Sequence, residues 1–143
     1  MKINIVHSQV VKLAIKQCDE TEADNQELVA SESRLSSSKG QARFKTKVEF
    51  EESSFFVIFA LHLVTEEDVE IKLQFRSRFE TDQALDEKFK ESAFPYVNAP
   101  AIAYPFLRAF ISTLTMNAGY SPIMLPSINF VAMKDKIFEE SHR

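Results

Sequence analysis

The pattern of apolar and polar positions divides the chain into a part with strand periodicity followed by a part with helical periodicity. Apolar side chains alternate with charged ones in residues 43–51 and again in 69–79, whereas residues 55–64 are apolar at nearly every position. A period of two with one charged face is typical of antiparallel strands, and a strand that is apolar on both faces belongs inside a sheet. Because the intervening loops are short, we predict a meander with residues 55–64 as its central strand.

Residues 3–18 alternate more loosely and predict a fourth strand. Residues 7–10 interrupt the alternation, as a β-bulge does, so this strand is expected to bend. Lys12 and Lys16 on one face fit an edge position, where charged side chains oppose unwanted strand pairing. The acidic and then serine-rich residues 19–42 predict a flexible polar connection to the meander.

The longest helical pattern covers about residues 98–118, where apolar residues recur at every fourth position: Ile102, Phe106, Phe110 and Leu114. This apolar stripe is broad for a helix that covers one sheet, so we expect part of it to contact a second subunit. Asn98 is expected to cap the helix and Gly119 to end it. Pro105 either bends one continuous helix, which we favour, or lies in the first turn of a shorter one.

An apolar loop with two prolines, residues 120–129, separates this helix from a closing helix predicted at residues 131–140. The prolines oppose regular structure, yet most of the other side chains are apolar. Such a loop either packs onto its own domain or binds a partner. Residues 80–92 are polar apart from Leu85 and Phe89, and predict one short amphipathic turn before the main helix.

Length and composition restrict the class of protein. A chain of 143 residues fits a single domain, residues 1–143, and its net charge of −4 argues against nucleic acid or an anionic membrane as partner of the whole chain. The first residues lack the pattern of a signal peptide, and no apolar run approaches the ~20 residues of a membrane helix. We therefore expect a cytoplasmic protein without membrane insertion.

Residues that carry catalytic or metal chemistry are sparse. The histidines His7, His62 and His142 are not at metal-ligand spacing from one another or from Cys18, and with two glycines there is no phosphate-binding loop. We expect no enzyme, no cofactor and no metal. A nucleic-acid-binding sheet remains an alternative, because several Lys and Arg share the outer face, but the phenylalanines of the alternating strands point to the other face.

A surface that binds other polypeptides fits the chain best, because apolar and aromatic residues concentrate in irregular backbone around the main helix. Unfolded chains expose apolar segments, and a receptor for them needs adaptable apolar grooves with few fixed hydrogen-bonding groups. The candidate client-binding residues are Phe94, Tyr96, Tyr104, Tyr120, Ile123, Met124, Leu125 and Ile128.

Three motifs follow one another between Phe94 and Met133: Tyr104-Pro105-Phe106, Ala118-Gly119, and Leu125-Pro126-Ser127-Ile128-Asn129-Phe130. In order and spacing they resemble the SecB family of bacterial export chaperones. The resemblance implies an α+β fold in which a long kinked helix and a carboxy-terminal helix pack on one face of a four-stranded antiparallel sheet. It also implies a homotetramer, a dimer of dimers, with the long helices between the sheets and the stripe from Ile102 to Leu114 in a subunit interface.

The resemblance further implies an ATP-independent holdase that binds unfolded or precursor polypeptides and delivers them to the secretion motor SecA. It places part of the client groove between residues 19–41 and 120–130. The family meets the motor through an acidic patch on the outer sheet face, and Glu70 and Lys72 lie at the corresponding place here. Because Lys72 is basic, a specialised SecB-like chaperone for one client or for a toxin–antitoxin pair is the main alternative.

Overall fold

Four long strands and one two-residue strand form a single antiparallel sheet in the computed structural model, which describes residues 1–18, 33–34 and 41–143. The strands are β1 (Ile3–Gln17), β2 (Ser33–Arg34), β3 (Gln41–Phe50), β4 (Ser54–Val64) and β5 (Val69–Thr81). Their order is β1-β5-β4-β3-β2, which confirms the predicted meander with its apolar strand in the middle.

The predicted polar connection is interrupted by β2, which pairs with β3 by placing Ser33 opposite Phe44. A strand inside this connection was not expected, because a serine-rich sequence shows no strand periodicity. The rest of the connection, residues 19–32 and 35–40, lies outside the described residues.

Strand β1 lies at one edge of the sheet and pairs only with β5 among the described strands. Its register shifts between Ile5 and His7 and again between Val10 and Lys12. Each shift leaves an extra residue on β1 and moves the following side chains to the other face. The bulge and the edge position predicted for this strand are thereby confirmed.

Three α-helices follow the sheet in the described chain: α1 (Glu87–Glu91), α2 (Ala99–Asn117) and α3 (Phe130–Ser141). A π-type turn, Phe94–Asn98, leads straight into α2. The prediction that Asn98 caps the long helix is therefore wrong: its backbone is already helical, with φ −69° and ψ −46°, and its side chain makes no capping hydrogen bond. Pro105 lies inside the uninterrupted α2, which rules out a helix that starts there.

The shorter helices have side-chain caps. Asp86 accepts a hydrogen bond from the Phe89 amide at 2.8 Å, which starts α1 in the predicted amphipathic turn. Asn129 accepts one from the Ala132 amide at 3.3 Å and starts α3 one residue before its predicted beginning.

Phenylalanine and tyrosine rings fill the space between the sheet and the helices. Phe55 and Phe79 stack with ring centroids 5.0 Å apart, and Tyr104 of α2 meets the rings of Phe44 and Phe59 edge-on at 5.8 and 6.0 Å. Large rings on neighbouring strands bury much apolar area with few rotatable bonds. This packing explains how a chain with 13 Phe and no Trp builds its core.

The outer side of β4 carries apolar side chains that long neighbours cover. Phe56 and Ile58 are buried, and the guanidinium carbon of Arg76 lies 4.6 Å from the centroid of the Phe56 ring. The two apolar faces of β4 left open whether neighbouring side chains or a partner cover this stripe. In the structure, the side chains of Arg76 and Arg78 cover Phe56, whereas Ala60 on the same face of β4 is exposed.

Candidate functional site

The proline-containing loop, residues 120–129, is tied to α2 by side chains of the helix. Tyr104 Oη donates to the Pro126 carbonyl at 2.6 Å, and Thr115 Oγ1 accepts from the Ile123 amide at 3.0 Å. Thr115 itself is buried and donates to the carbonyl of Ile111 at 2.9 Å. The loop therefore follows a fixed path although it contains no regular secondary structure.

Tyr104 of α2 and Tyr96 of the preceding π-type turn are neutral hydrogen-bond donors. Burial raises the pKa of Tyr104 and that of Tyr96 to about 12. Tyr96 Oη donates to the Lys90 carbonyl at 2.6 Å, which ties the π-type turn to α1. Both side chains hold the helical layer together and remain protonated at neutral pH.

The eight candidate client-binding residues fall into three groups in the folded chain: buried, exposed and half-buried. Tyr96, Tyr104 and Leu125 are buried in the core and cannot contact a client in this conformation. Met124 is 72% exposed. Four others are half-buried: Phe94, Tyr120, Ile123 and Ile128.

A second exposed apolar surface, in addition to the one around Met124, lies on α2. Phe106 is 50% exposed, Ile102 is also exposed, and Phe110 and Leu114 are half-buried. Phe110 stacks on Phe75 of β5 at 5.8 Å, and Phe75 is paired with Val10 of β1. The helix stripe therefore continues onto the edge strand, where further large apolar side chains are exposed: Val6, Val10, Val11 and Leu13.

Sequence reasoning missed three contributors to these surfaces. Val131, which is 70% exposed in the first turn of α3, Met116 and the valines of β1 were not singled out as surface residues. Val131 directly follows the buried Phe130 and precedes the buried Ile137 by six residues, a spacing that puts it on another side of the helix. In β1, the face of the sheet on which each valine lies cannot be predicted from the alternation of apolar and polar residues, because the two bulges shift the register.

The outer sheet face near Glu70 and Lys72 differs from an acidic docking patch. The Glu70 side chain is only 7% exposed; its Oε2 lies 3.4 Å from His62 Nε2 and its Oε1 lies 3.9 Å from Lys72 Nζ. The Lys72 side chain is 60% exposed, so the cation and not the carboxylate faces a partner. Burial is the main cause that lowers the pKa of His62, against the opposing effect of Glu70.

The described residues show no group of three or more His, Cys, Asp or Glu that is suited to a metal ion. Cys18 is buried, and its Sγ donates to the Asp68 carbonyl at 3.2 Å. None of the described helices combines the length and apolar character needed to cross a bilayer.

Comparison with known proteins identifies the family. The family model described as preprotein translocase subunit SecB matches residues 43–140. The chain belongs to the SecB family. The resemblance found in the sequence is thereby confirmed, and the members of the SecB family are chaperones and not enzymes.

Individual SecB relatives match over shorter stretches. The protein-export protein SecB of Anaplasma phagocytophilum is 39% identical over 62 residues, which cover 43% of this chain and 39% of that protein. An uncharacterized protein of Methanocaldococcus jannaschii is 41% identical over 58 residues, covering 41% of this chain and 36% of the relative. The matched part of the chain thus spans less than half the length of these relatives.

Solved structures extend the likeness over most of the fold. A SecB-like chaperone of Mycobacterium tuberculosis, solved in complex with a ChAD peptide from the HigA1 antitoxin, has a TM-score of 0.62 at 14% identity and covers 88% of this chain and 90% of its own. A protein of unknown function from Streptococcus agalactiae has a TM-score of 0.51 at 10% identity and covers 89% and 98%. At such identities the likeness establishes the SecB-like fold.

Proposed function

We propose that this SecB-family protein is an ATP-independent holdase whose client surface consists of the proline-containing loop and the start of α3. The client surface is defined by Tyr120, Ile123, Met124, Ile128 and Val131. Phe94 is left out because its ring packs against Phe89, with centroids 6.0 Å apart.

The exposure of Met124 on an anchored loop is the observation that carries this proposal. Met124 is 72% exposed, and its Sδ accepts a weak hydrogen bond from Ser112 Oγ at 3.5 Å. Most of its apolar surface is thus open to a partner, although the neighbouring backbone is held by Tyr104 and Thr115. Unbranched thioether side chains adapt to differently shaped apolar partners, as a receptor for many unfolded segments requires. Family membership supports the same role.

We also propose that β1 and α2 form the subunit contacts of a dimer of dimers. One edge of the sheet is covered, because β3 pairs with β2 and the Val48 amide donates to Ser141 Oγ of α3 at 2.8 Å. The other edge, β1, is 15 residues long and carries exposed valines. A long edge that is unpaired among the described residues, beside an exposed Phe106, favours association with a second copy, which removes both from water.

Delivery to SecA through an acidic outer face gains no support from Glu70 and Lys72, because the carboxylate is buried and the cation is exposed. A dedicated client is therefore the second candidate. The Mycobacterium tuberculosis chaperone, which shares this fold, was solved with a peptide from an antitoxin. Pull-down from the native host separates the two, because it recovers either SecA with many precursors or one abundant partner.

Holdase activity is tested by following aggregation of a chemically unfolded model protein by light scattering, without nucleotide. The wild type is expected to suppress aggregation at equimolar tetramer, and Met124→Glu is expected to weaken suppression because a carboxylate is costly to desolvate against an apolar client. Ala84→Glu adds the same charge at an exposed position outside the client surface and should not. Failure of the wild type to suppress aggregation would refute the holdase proposal.

Assembly is tested by sedimentation and light scattering of Phe106→Asp. We expect a tetramer for the wild type and smaller species for this variant, because the charge lies in the proposed contact. Ala84→Asp, at an exposed position before α1, is the control and should remain tetrameric. A wild type that is monomeric at all concentrations would contradict the proposal.

A further inference from the structure

The face of the sheet opposite α2 and the client surface carries a groove built by two rows of strand side chains and, at its β3 end, by Glu140 of α3 and Arg143. Strand pairing places one row side by side across β1, β5, β4 and β3: Ala14, Lys72, His62 and Arg43. The adjacent row consists of Lys12, Gln74, Ala60 and Lys45. Both rows alternate with core residues, so they point away from the helices.

Small side chains make this face concave. Ala14 and Ala60 each place a single methyl group between longer neighbours. A depression of about 400 Å³ lies over both alanines, and a second of about 420 Å³ continues from Ala60 and Gln74 toward Lys47. We call the joined depressions the basic groove; it crosses the strands from β1 to β3, a width of about 14 Å at the usual strand spacing.

The basic groove has an excess of cations in a chain whose net charge is −4. Two of its lysines have carboxylates beside the groove: Lys47 Nζ lies 3.0 Å from Glu49, and Lys72 Nζ lies 3.9 Å from Glu70. It is lined by the basic residues Lys12, Arg43, Lys45, Lys47, Lys72 and Arg143. In the described part of the chain, Glu140 is the one acidic residue of its lining, and that carboxylate lies 3.1 Å from Lys45 Nζ and 3.2 Å from Arg143 Nη1. Lys12 and Lys72 are left exposed at the β1 side of the groove.

We propose that the basic groove binds a short acidic segment of a partner polypeptide. An extended segment of about four to five residues spans the width of the groove. Alternate carboxylates of such a segment can reach Lys12, Lys72 and Lys45, while its backbone lies over the methyl groups of Ala14 and Ala60. This surface lies on the face of the sheet opposite the client surface, so the inference does not depend on the proposed holdase function.

The Phe56 ring is covered by arginine side chains, which favours a polypeptide over single-stranded nucleic acid as the ligand of the basic groove. Proteins that bind single strands without sequence preference stack bases on exposed aromatic side chains. Phe56 is the outward aromatic of β4, and it is covered by the guanidinium groups of Arg76 and Arg78 at 4.6 and 5.4 Å. Without an exposed aromatic ring to stack on among the described residues of the groove, a ligand is recognised by charge, and the lysines of the groove can pair with the carboxylates of a short peptide.

The test measures fluorescence anisotropy of a short labelled peptide of alternating Glu and Ser, with the full chain and no client present. We expect saturable binding that weakens as salt rises from about 50 to about 200 mM, and no binding of the peptide with Gln in place of Glu. The pair Lys12→Gln with Lys72→Gln is expected to weaken binding about three- to tenfold, the range for two exposed ion pairs. Lys2→Gln with Lys88→Gln removes the same charge at other exposed positions and should leave binding within about twofold.

A second variant tests the shape of the groove separately from its charge. Ala60→Ile fills the part that both depressions share and should weaken the Glu peptide at least about threefold without a change in charge. Thermal unfolding of each variant checks that the sheet is intact. The proposal is overturned if the Glu peptide does not bind saturably, if the control pair weakens it as much as the groove pair, or if a single-stranded oligonucleotide of equal charge binds more tightly.

Discussion

Replacement of the buried Thr115 by valine tests whether the loop that carries the client surface is anchored by one hydroxyl group. Thr115→Val keeps the shape of the side chain but removes the acceptor of the Ile123 amide, which lies 3.0 Å from Oγ1. The carbonyl of Ile111 loses the hydroxyl donor at 2.9 Å but keeps its place in the helix ladder. The main cost is therefore one part-buried N–H without a partner, which amounts to about 1–2 kcal/mol.

For a chain of this size that cost corresponds to a decrease in Tm of about 3–7 °C, measured by circular dichroism at one fixed subunit concentration. Thr113→Val exchanges the same atoms at an exposed position of α2 and should change the free energy of unfolding by less than about 0.5 kcal/mol. Hydrogen exchange gives a local readout, because the Ile123 amide should exchange faster in Thr115→Val and not in Thr113→Val. Equal unfolding temperatures of the two variants, or an unchanged exchange rate at Ile123, would refute the anchoring role.

Three further predictions concern the pH dependence, the core and a helix cap. Burial lowers the folded-state pKa of His62 below its ordinary value of 6.5. The stability that depends on neutral His62 is therefore fully present above pH 6.5 and is lost as the pH falls from 6.5 through the folded-state pKa. His62→Gln should make Tm less dependent on pH in this range. Leu107→Ala should lower the free energy of unfolding by about 2–5 kcal/mol in a urea titration, because Leu107 is fully buried in α2, whereas Val131→Ala should cost under about 0.5 kcal/mol. Asn129→Ala removes the cap of α3 and should cost about 1 kcal/mol in the same titration.

The sheet could be predicted closely because its signals are local. The alternation around Phe44 and Val48 and the apolar run through Phe59 each determine a strand and its inward face, and short loops determine the pairing. The long helix could also be predicted, but its first residue could not. Asparagine is a residue type that often caps helices, yet Asn98 is part of the π-type turn Phe94–Asn98 that leads into α2. A side chain that can cap a helix does so only where the backbone enters from an extended conformation.

The client surface could be predicted only in part, because apolar residues in irregular backbone look the same whether they are buried or exposed. Tyr104 and Met124 were equivalent candidates in the sequence. In the structure the Tyr104 hydroxyl reaches the Pro126 carbonyl and its ring enters the core, whereas Met124 remains outside. Which of them is buried depends on how the loop lies on α2, and that path is set by contacts between residues distant in the chain.

The sequence by itself determined the SecB-like order of elements and the two-faced strands, because these follow from periodicities within single segments. Tertiary structure alone decided which apolar residues remain available to other chains and where the basic groove lies. Ala14 and Ala60 are 46 positions apart, and they share one concave surface only because strand pairing brings β1, β5 and β4 into register. Concavity and exposure are properties of several segments together, and no single segment encodes them.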